Sequence, residues 1–192
     1  MVRLELHMRL LRSGLFVLAA FLLALAPLRG HAQTREYQVK AVFLLNFTHF
    51  ISWPSNVFTN STQPFQIGIL GENPFSGALI DVFKGETFQQ RPIHVVESRE
   101  FASLAQCQML FISRSESDRL ELILSQLGSR PVLTVADVAR VSESGVMIQL
   151  YREENNVRFA INPEAARKGG LTVSSRLLRV GRVVGTDGGG IK

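Results

Sequence analysis

Asp137 closes the apolar run Val132-Leu133-Thr134-Val135-Ala136. A carboxylate at the C-terminal end of a strand is where α/β proteins place acids, bases and ligand-holding groups. There it could act as a base or hold a ligand, or it could cap the turn that follows. An earlier apolar run ends in Gly68-Ile69-Leu70-Gly71 and leads into Glu72-Asn73-Pro74. A glycine-bounded turn at a strand end can present the next helix's N-terminus to an anion, or it can serve only as a tight strand-to-helix turn. Glu72 would repel a phosphate. Gly71, Glu72, Asn73 and Asp137 are therefore the candidate ligand-binding residues.

No catalytic set accompanies them. Beyond residue 32 the only imidazoles and thiol are His49, His94 and Cys107, scattered over separate segments with no paired metal-ligand spacing. The chain has no G-x-S-x-G elbow, no H-E-x-x-H and no phosphate-loop lysine. Catalytic residues, a metal and a cofactor are not expected. With Cys107 as the only cysteine, an intramolecular disulfide is impossible, and the thiol reads as a small buried hydrophobe.

The chain of 192 residues is 46% hydrophobic and 19% charged, the balance of one globular domain with a real core. Its formal charge of +5 would suggest nucleic acid if the cations lay in the folded part. Residues 1–32, however, carry Arg3, Arg9, Arg12 and Arg29 against Glu5 alone, so taking their +3 from +5 leaves only +2. No nucleic-acid partner is implied. Arg158, Arg167, Lys168, Arg176, Arg179 and Arg182 still make the C-terminal third basic, as a solvated helix face or as a surface for an acidic ligand or partner.

The first segment has a basic start, an uncharged apolar stretch from Gly14 to Leu28, and small residues at Gly30 and Ala32. These are the parts of a cleavable export signal, and the stretch is too short for a membrane-spanning helix. The expected organisation is a signal peptide over 1–32, an α/β domain over 33–184 and a flexible tail over 185–192. The polar members of the next segment, Lys40, Asn46, Thr48, His49 and Ser52, argue against a second span.

Strands must position the candidate residues. Helical spacing of Val39, Phe43, Phe47, Phe50 and Ile51 predicts a buried helix from Arg35 to the Trp53-Pro54 stop. Ser55 to Pro64 reads as a surface loop and Phe65 to Leu70 as a strand. A helix from Asn73 or Pro74 up to Gly85 follows, with Phe75, Leu79, Ile80 and Phe83 at helical spacing. Then come a strand over Ile93–Val96, a helical turn over Glu100–Ala105, and a strand over Met109–Ile112. Helix Ser117–Leu127 should turn Leu120, Leu122, Ile123, Leu124 and Leu127 inward and stop at Gly128. After strand Pro131–Val135, the runs Val146–Tyr151 and Val157–Ile161 have hairpin composition. A short helix from Pro163 and a last helix over Val173–Val184, burying Leu177, Leu178 and Val180, complete the chain. Such β and α alternation predicts a mainly parallel sheet with helices on its faces.

Taken together, these blocks resemble the YfiR/HmsC-type family of bacterial periplasmic proteins. The resemblance covers about Glu36 to Val180 and rests on four blocks in order. They are Glu36-Tyr37-Gln38-Val39-Lys40-Ala41-Val42-Phe43-Leu44-Leu45-Asn46-Phe47 with Trp53-Pro54, then Gly68-Ile69-Leu70-Gly71-Glu72-Asn73-Pro74-Phe75, then Val132-Leu133-Thr134-Val135-Ala136-Asp137. The fourth and most specific runs Val157-Arg158-Phe159-Ala160-Ile161-Asn162 through Ala165-Ala166-Arg167 to Leu171-Thr172-Val173-Ser174-Ser175-Arg176-Leu177-Leu178. The resemblance implies a Rossmann-like three-layer sandwich with a C-terminal β-hairpin, without enzymatic activity and often homodimeric. It further implies that the domain binds the periplasmic region of an inner-membrane diguanylate cyclase and represses it, lowering cyclic di-GMP and biofilm formation. The best-known branch of that family uses disulfides, whereas this chain has only Cys107, so the same redox control is not implied here. Ser144-Gly145 stands where the family often has Gly-Gly before its fifth strand. The rival reading from the residues is a periplasmic small-molecule binding module, its pocket lined by the loops Gly71–Phe75 and Asp137–Gly145.

Overall fold

The computed structural model describes residues 33–138 and 145–185. The expected signal segment, residues 139–144 of the expected loop after Asp137, and residues 186–192 of the expected tail lie outside them. The chain divides into units Met1–Glu36 and Tyr37–Lys192. Of the first, only residues 33–36 are described, and they are helical. The second carries everything that follows.

Residues 33–50 are helix α1, and Ile51–Ser52 is a short strand β1. Strand β2 is Phe65–Leu70 and helix α2 is Ala78–Phe83. A hairpin of β3 (Thr87–Phe88) and β4 (Arg91–Ser98) leads through a 3-10 turn at Phe101–Leu104 to β5 (Met109–Ile112). A second 3-10 segment, Arg114–Arg119, runs into α3 (Leu120–Leu127), followed by β6 (Leu133–Ala136). The C-terminal part comprises β7 (Ile148–Glu153), β8 (Asn156–Ile161), α4 (Pro163–Lys168), β9 (Thr172–Val173), α5 (Ser175–Val180) and β10 (Arg182–Val183).

Among the described residues, eight strands form one sheet in the order β10-β8-β7-β6-β5-β2-β4-β3, parallel except at the β7/β8 and β3/β4 hairpins. The mixed α/β expectation with a C-terminal hairpin therefore holds. The chain goes from β2 outward to β4, then returns past β2 to β5. The strand order reverses between β2 and β5, the kind of position where open α/β sheets hold ligands. Residues 71–75 and 113–116 leave the sheet there.

Both sheet faces are covered, which is why the central strands are continuous apolar runs rather than alternating ones. Phe65, Ile67 and Ile69 of β2 join one buried cluster with residues of α1, α2, α4 and α5. Leu70, Leu110 and Ile112 join the other with Leu120, Ile123 and Leu127 of α3. Gly68 is an interior strand position rather than part of a turn: a Cβ there would lie 2.9 Å from Cys107 Sγ and 3.1 Å from Leu110 Cδ1.

Several predicted boundaries and faces are corrected, each by a tertiary contact. Helix α1 ends at residue 50 because Ile51 pairs with Val173, and Ser174 N–H donates to the Phe50 carbonyl at 2.9 Å. Its inward face is Tyr37, Lys40, Ala41, Leu44 and Phe47, while Val39 is exposed. Helix α2 starts later than expected, since Asn73 Oδ1 accepts from Phe75 N at 2.8 Å and holds the chain in a side-chain turn. Ile80 and Leu122 point outward. The last predicted helix breaks into β9, α5 and β10. Gly181 runs so close to Phe159 that a Cβ would collide with its ring, and Val184 N donates to the Ile161 carbonyl at 2.8 Å. Leu177 is buried there, but Val180 is exposed. The β3/β4 hairpin was not visible in the sequence. Its turn residues Gln89 and Gln90 have φ of 49° and 67°, which glycine or asparagine would normally signal.

The burial of Cys107 pushes its thiol up to about 11 from an ordinary 9.0. The folded chain should resist thiol reagents at pH 8, with labelling following unfolding as denaturant rises. Prompt stoichiometric labelling of native protein would contradict that burial. The unfolded thiol ionises first, so this group's contribution to stability is intact below pH 9 and declines between about 9 and 11.

Candidate functional site

Asp137 is 2% exposed and directly follows β6, its N–H extending the ladder to the Ile112 carbonyl at 3.2 Å. Its carboxylate faces α1. Tyr37 Oη donates to Oδ2 at 2.5 Å, and Lys40 Nζ lies 2.8 Å from the same oxygen. Arg114, leaving β5, reaches Oδ1 at 3.1 Å from a largely solvent-exposed side chain. Lys40 has no solvent exposure, and its ammonium also sits 4.5 Å from the Tyr37 ring centroid. The ring is edge-on to Phe75 at 5.4 Å, and Phe75 to Phe111 at 4.7 Å. An aromatic column thus walls one side of the ion pair.

This environment decides what Asp137 can do. A base must offer a lone pair to an incoming proton, and a nucleophilic lysine must be reachable. Here two cations and a phenol take up the carboxylate, and Lys40 is sealed. The arrangement fits a clamp that fastens α1 to the C-terminal edge of the sheet. The described partners of the carboxylate come from α1 and from the segment after β5.

Gly71, Glu72 and Asn73 occupy the same edge but face another way. Gly71 has φ +92° and donates to the Ser98 carbonyl at 3.0 Å. A Cβ there would collide with Ser115 Oγ and lie 2.7 Å from Glu116 Cγ, so glycine is required by both conformation and space. Glu72 N donates to Ser115 Oγ at 2.9 Å, while its carboxylate lies 3.6 Å from the exposed Arg99. Asn73 Nδ2 donates to Glu97 at 2.6 Å. Glu116 is itself tied to Arg119 at 2.7 Å. The consecutive Arg114 and Ser115 connect the two groups, one serving Asp137 and the other Glu72. A cleft of about 310 Å³ lies elsewhere, between the end of α3 and α4, lined by Leu127, Gly128, Met147, Ala165, Lys168 and Gly169 among others. Gly71, Glu72, Asn73 and Asp137 do not line it. His49 and His94 are exposed on α1 and β4, away from one another in sequence and element.

Sequence reasoning missed Tyr37, Lys40 and Arg114. A signal existed for the first two: Tyr37, Lys40, Ala41, Leu44 and Phe47 keep the i, i+3, i+4, i+7, i+10 spacing of one helix face. The lysine on that face predicts a buried anion opposite. Arg114 carried no such mark.

Among the described residues, no helix is long and apolar enough to cross a membrane. A search of curated proteins finds no match. The family profile described as YfiR/HmsC-like matches residues 37–182, from the clamp's tyrosine to the first residue of β10. With that match covering most of its length and, apart from Glu36, all four sequence blocks inside it, the chain belongs to the YfiR/HmsC-like family.

Proposed function

We propose that this chain is an exported periplasmic regulator, not an enzyme. In this reading it binds the periplasmic region of an inner-membrane diguanylate cyclase and holds it off, which lowers cyclic di-GMP and biofilm formation. The domain is read as a Rossmann-like three-layer sandwich used for recognition, and homodimerisation belongs to the same reading. The observation that carries it is the family match over residues 37–182. The sealed clamp at Asp137 supports it further, because the best-placed carboxylate is occupied with holding a helix.

Deletion of the gene, with cyclic di-GMP measured by mass spectrometry in the producing strain, tests the reading. A rise that is reversed by restoring the wild-type gene is expected. Unchanged cyclic di-GMP in every growth condition would overturn it.

A further inference from the structure

The described residues from Ala165 to Gly185 include five cations and no anion. Lys168 is paired with Glu164 at 3.2 Å. By contrast, Arg176, Arg179 and Arg182 are exposed and have no ion pair or side-chain hydrogen bond among the described residues. All three lie on α5 and β10, at one edge of the sheet.

Leu177 is buried, so it fixes the outward face of α5, where Arg176 and Arg179 are one turn apart and Val180 stands beside them. Gly181, pinned against Phe159, then turns the chain into β10, which pairs only with β8 among the described residues. Val180 is 73% exposed and Val183 53%. Two large apolar side chains, Val180 and Val183, are thus left in water along the same edge as three exposed guanidiniums, the mixture of apolar and cationic groups found at recognition surfaces.

We infer that the α5–β10 edge is the docking surface for an acidic face of a protein partner, whose carboxylates pair with Arg176, Arg179 and Arg182 around Val180 and Val183. This rests on the repressor reading and gives the contact with the cyclase a place. Three features favour a protein over an anionic membrane. Guanidinium is the cation whose planar fork matches a carboxylate. The apolar members are valines, without the tryptophan or phenylalanine that anchors an interfacial helix, and α5 has only six residues. Among the described residues no strand pairs the outer side of β10, whose backbone groups a protein segment can pair and a lipid cannot.

The test uses the full exported chain returned to the deletion strain, with cyclic di-GMP as the readout. Wild type should restore the low level. R176E/R179E/R182E should leave cyclic di-GMP at the deletion level while the purified protein keeps the wild-type melting temperature, and R176K/R179K/R182K should repress in part. If the triple glutamate variant does not accumulate, R179Q/V183S, changing two exposed side chains, should show weakened repression. Full repression by the folded charge-reversed chain overturns this inference and leaves the repressor reading standing. Failure of wild type to repress removes both. Arginine-dependent co-sedimentation of the purified protein with phosphatidylglycerol/phosphatidylethanolamine vesicles would also overturn it, assigning the surface to lipid.

Discussion

Replacing Lys40 with methionine should lower the free energy of unfolding by about 3–5 kcal/mol, the usual penalty for removing one member of a buried ion pair. Lys40 and the Asp137 side chain are 0% and 3% exposed and 2.8 Å apart, so the substitution strands a carboxylate that water cannot reach. Tyr37 remains to donate one hydrogen bond, and Arg114 still approaches Oδ1, so Asp137 keeps partial compensation. The double variant K40M/D137N should therefore be more stable than the sum of the two single losses predicts. An amide still accepts from Tyr37, methionine fills the space of the lysine stem, and no unpaired charge stays inside. A coupling of about 1–3 kcal/mol is expected from a cycle of urea unfolding midpoints at constant m-value. A loss below about 1 kcal/mol for K40M would mean that the ammonium reaches water and the clamp is not closed.

The clamp explains how a fold with no disulfide holds its first helix. One face of the sheet is covered by α1, α2, α4 and α5, and of these α1 alone is longer than two turns. Apolar contact would allow such a helix to slide or rotate, because hydrophobic burial is non-directional. An ion pair with fixed partners selects one rotation and one axial position. It also joins three segments distant in sequence, α1, the end of β5 and the end of β6, at the edge where the strand order reverses.

The strands were legible because parallel strands covered on both faces must be apolar throughout. Phe65–Leu70 and Met109–Ile112 appear in the structure with the bounds their composition suggests. The C-terminal hairpin, antiparallel and only partly buried, was legible on another ground, its charged turn between two β-rich runs. Helix faces were harder. Val39 and Val180 look like core residues to a periodicity argument, yet each lies in water because a polar or glycine neighbour determines the local geometry. At Val39 that neighbour is Lys40, whose partner is nearly a hundred residues away in sequence. At Val180 it is Gly181, whose tight approach to Phe159 ends the helix early. The candidate site was half visible on the same grounds. Asp137 stands out by its place at a strand end, but what occupies its carboxylate depends on a contact that only the folded chain creates.

The phase of α1 makes the second large prediction, since the two available faces give opposite results. Phe47 has no exposure and packs edge-on against Phe159 with centroids 5.4 Å apart and alongside Phe43 at 6.1 Å. Truncation to alanine removes a whole ring from a site bounded by sheet and helix, neither of which can collapse to fill it. Phe47→Ala should cost about 3–5 kcal/mol in chemical denaturation. Val39, which the simplest reading of the sequence turns inward, is 45% exposed. Its change to alanine loses little contact and gains helix propensity, so Val39→Ala should stay within about 0.5 kcal/mol of wild type. Were Val39→Ala to cost as much as a core truncation, α1 would be rotated from the orientation that places Lys40 on Asp137. Because Lys40 precedes Phe47 by seven residues, two turns along one face, a single rotation of α1 cannot satisfy one and expose the other. The stability losses of K40M and Phe47→Ala therefore test the same orientation of α1.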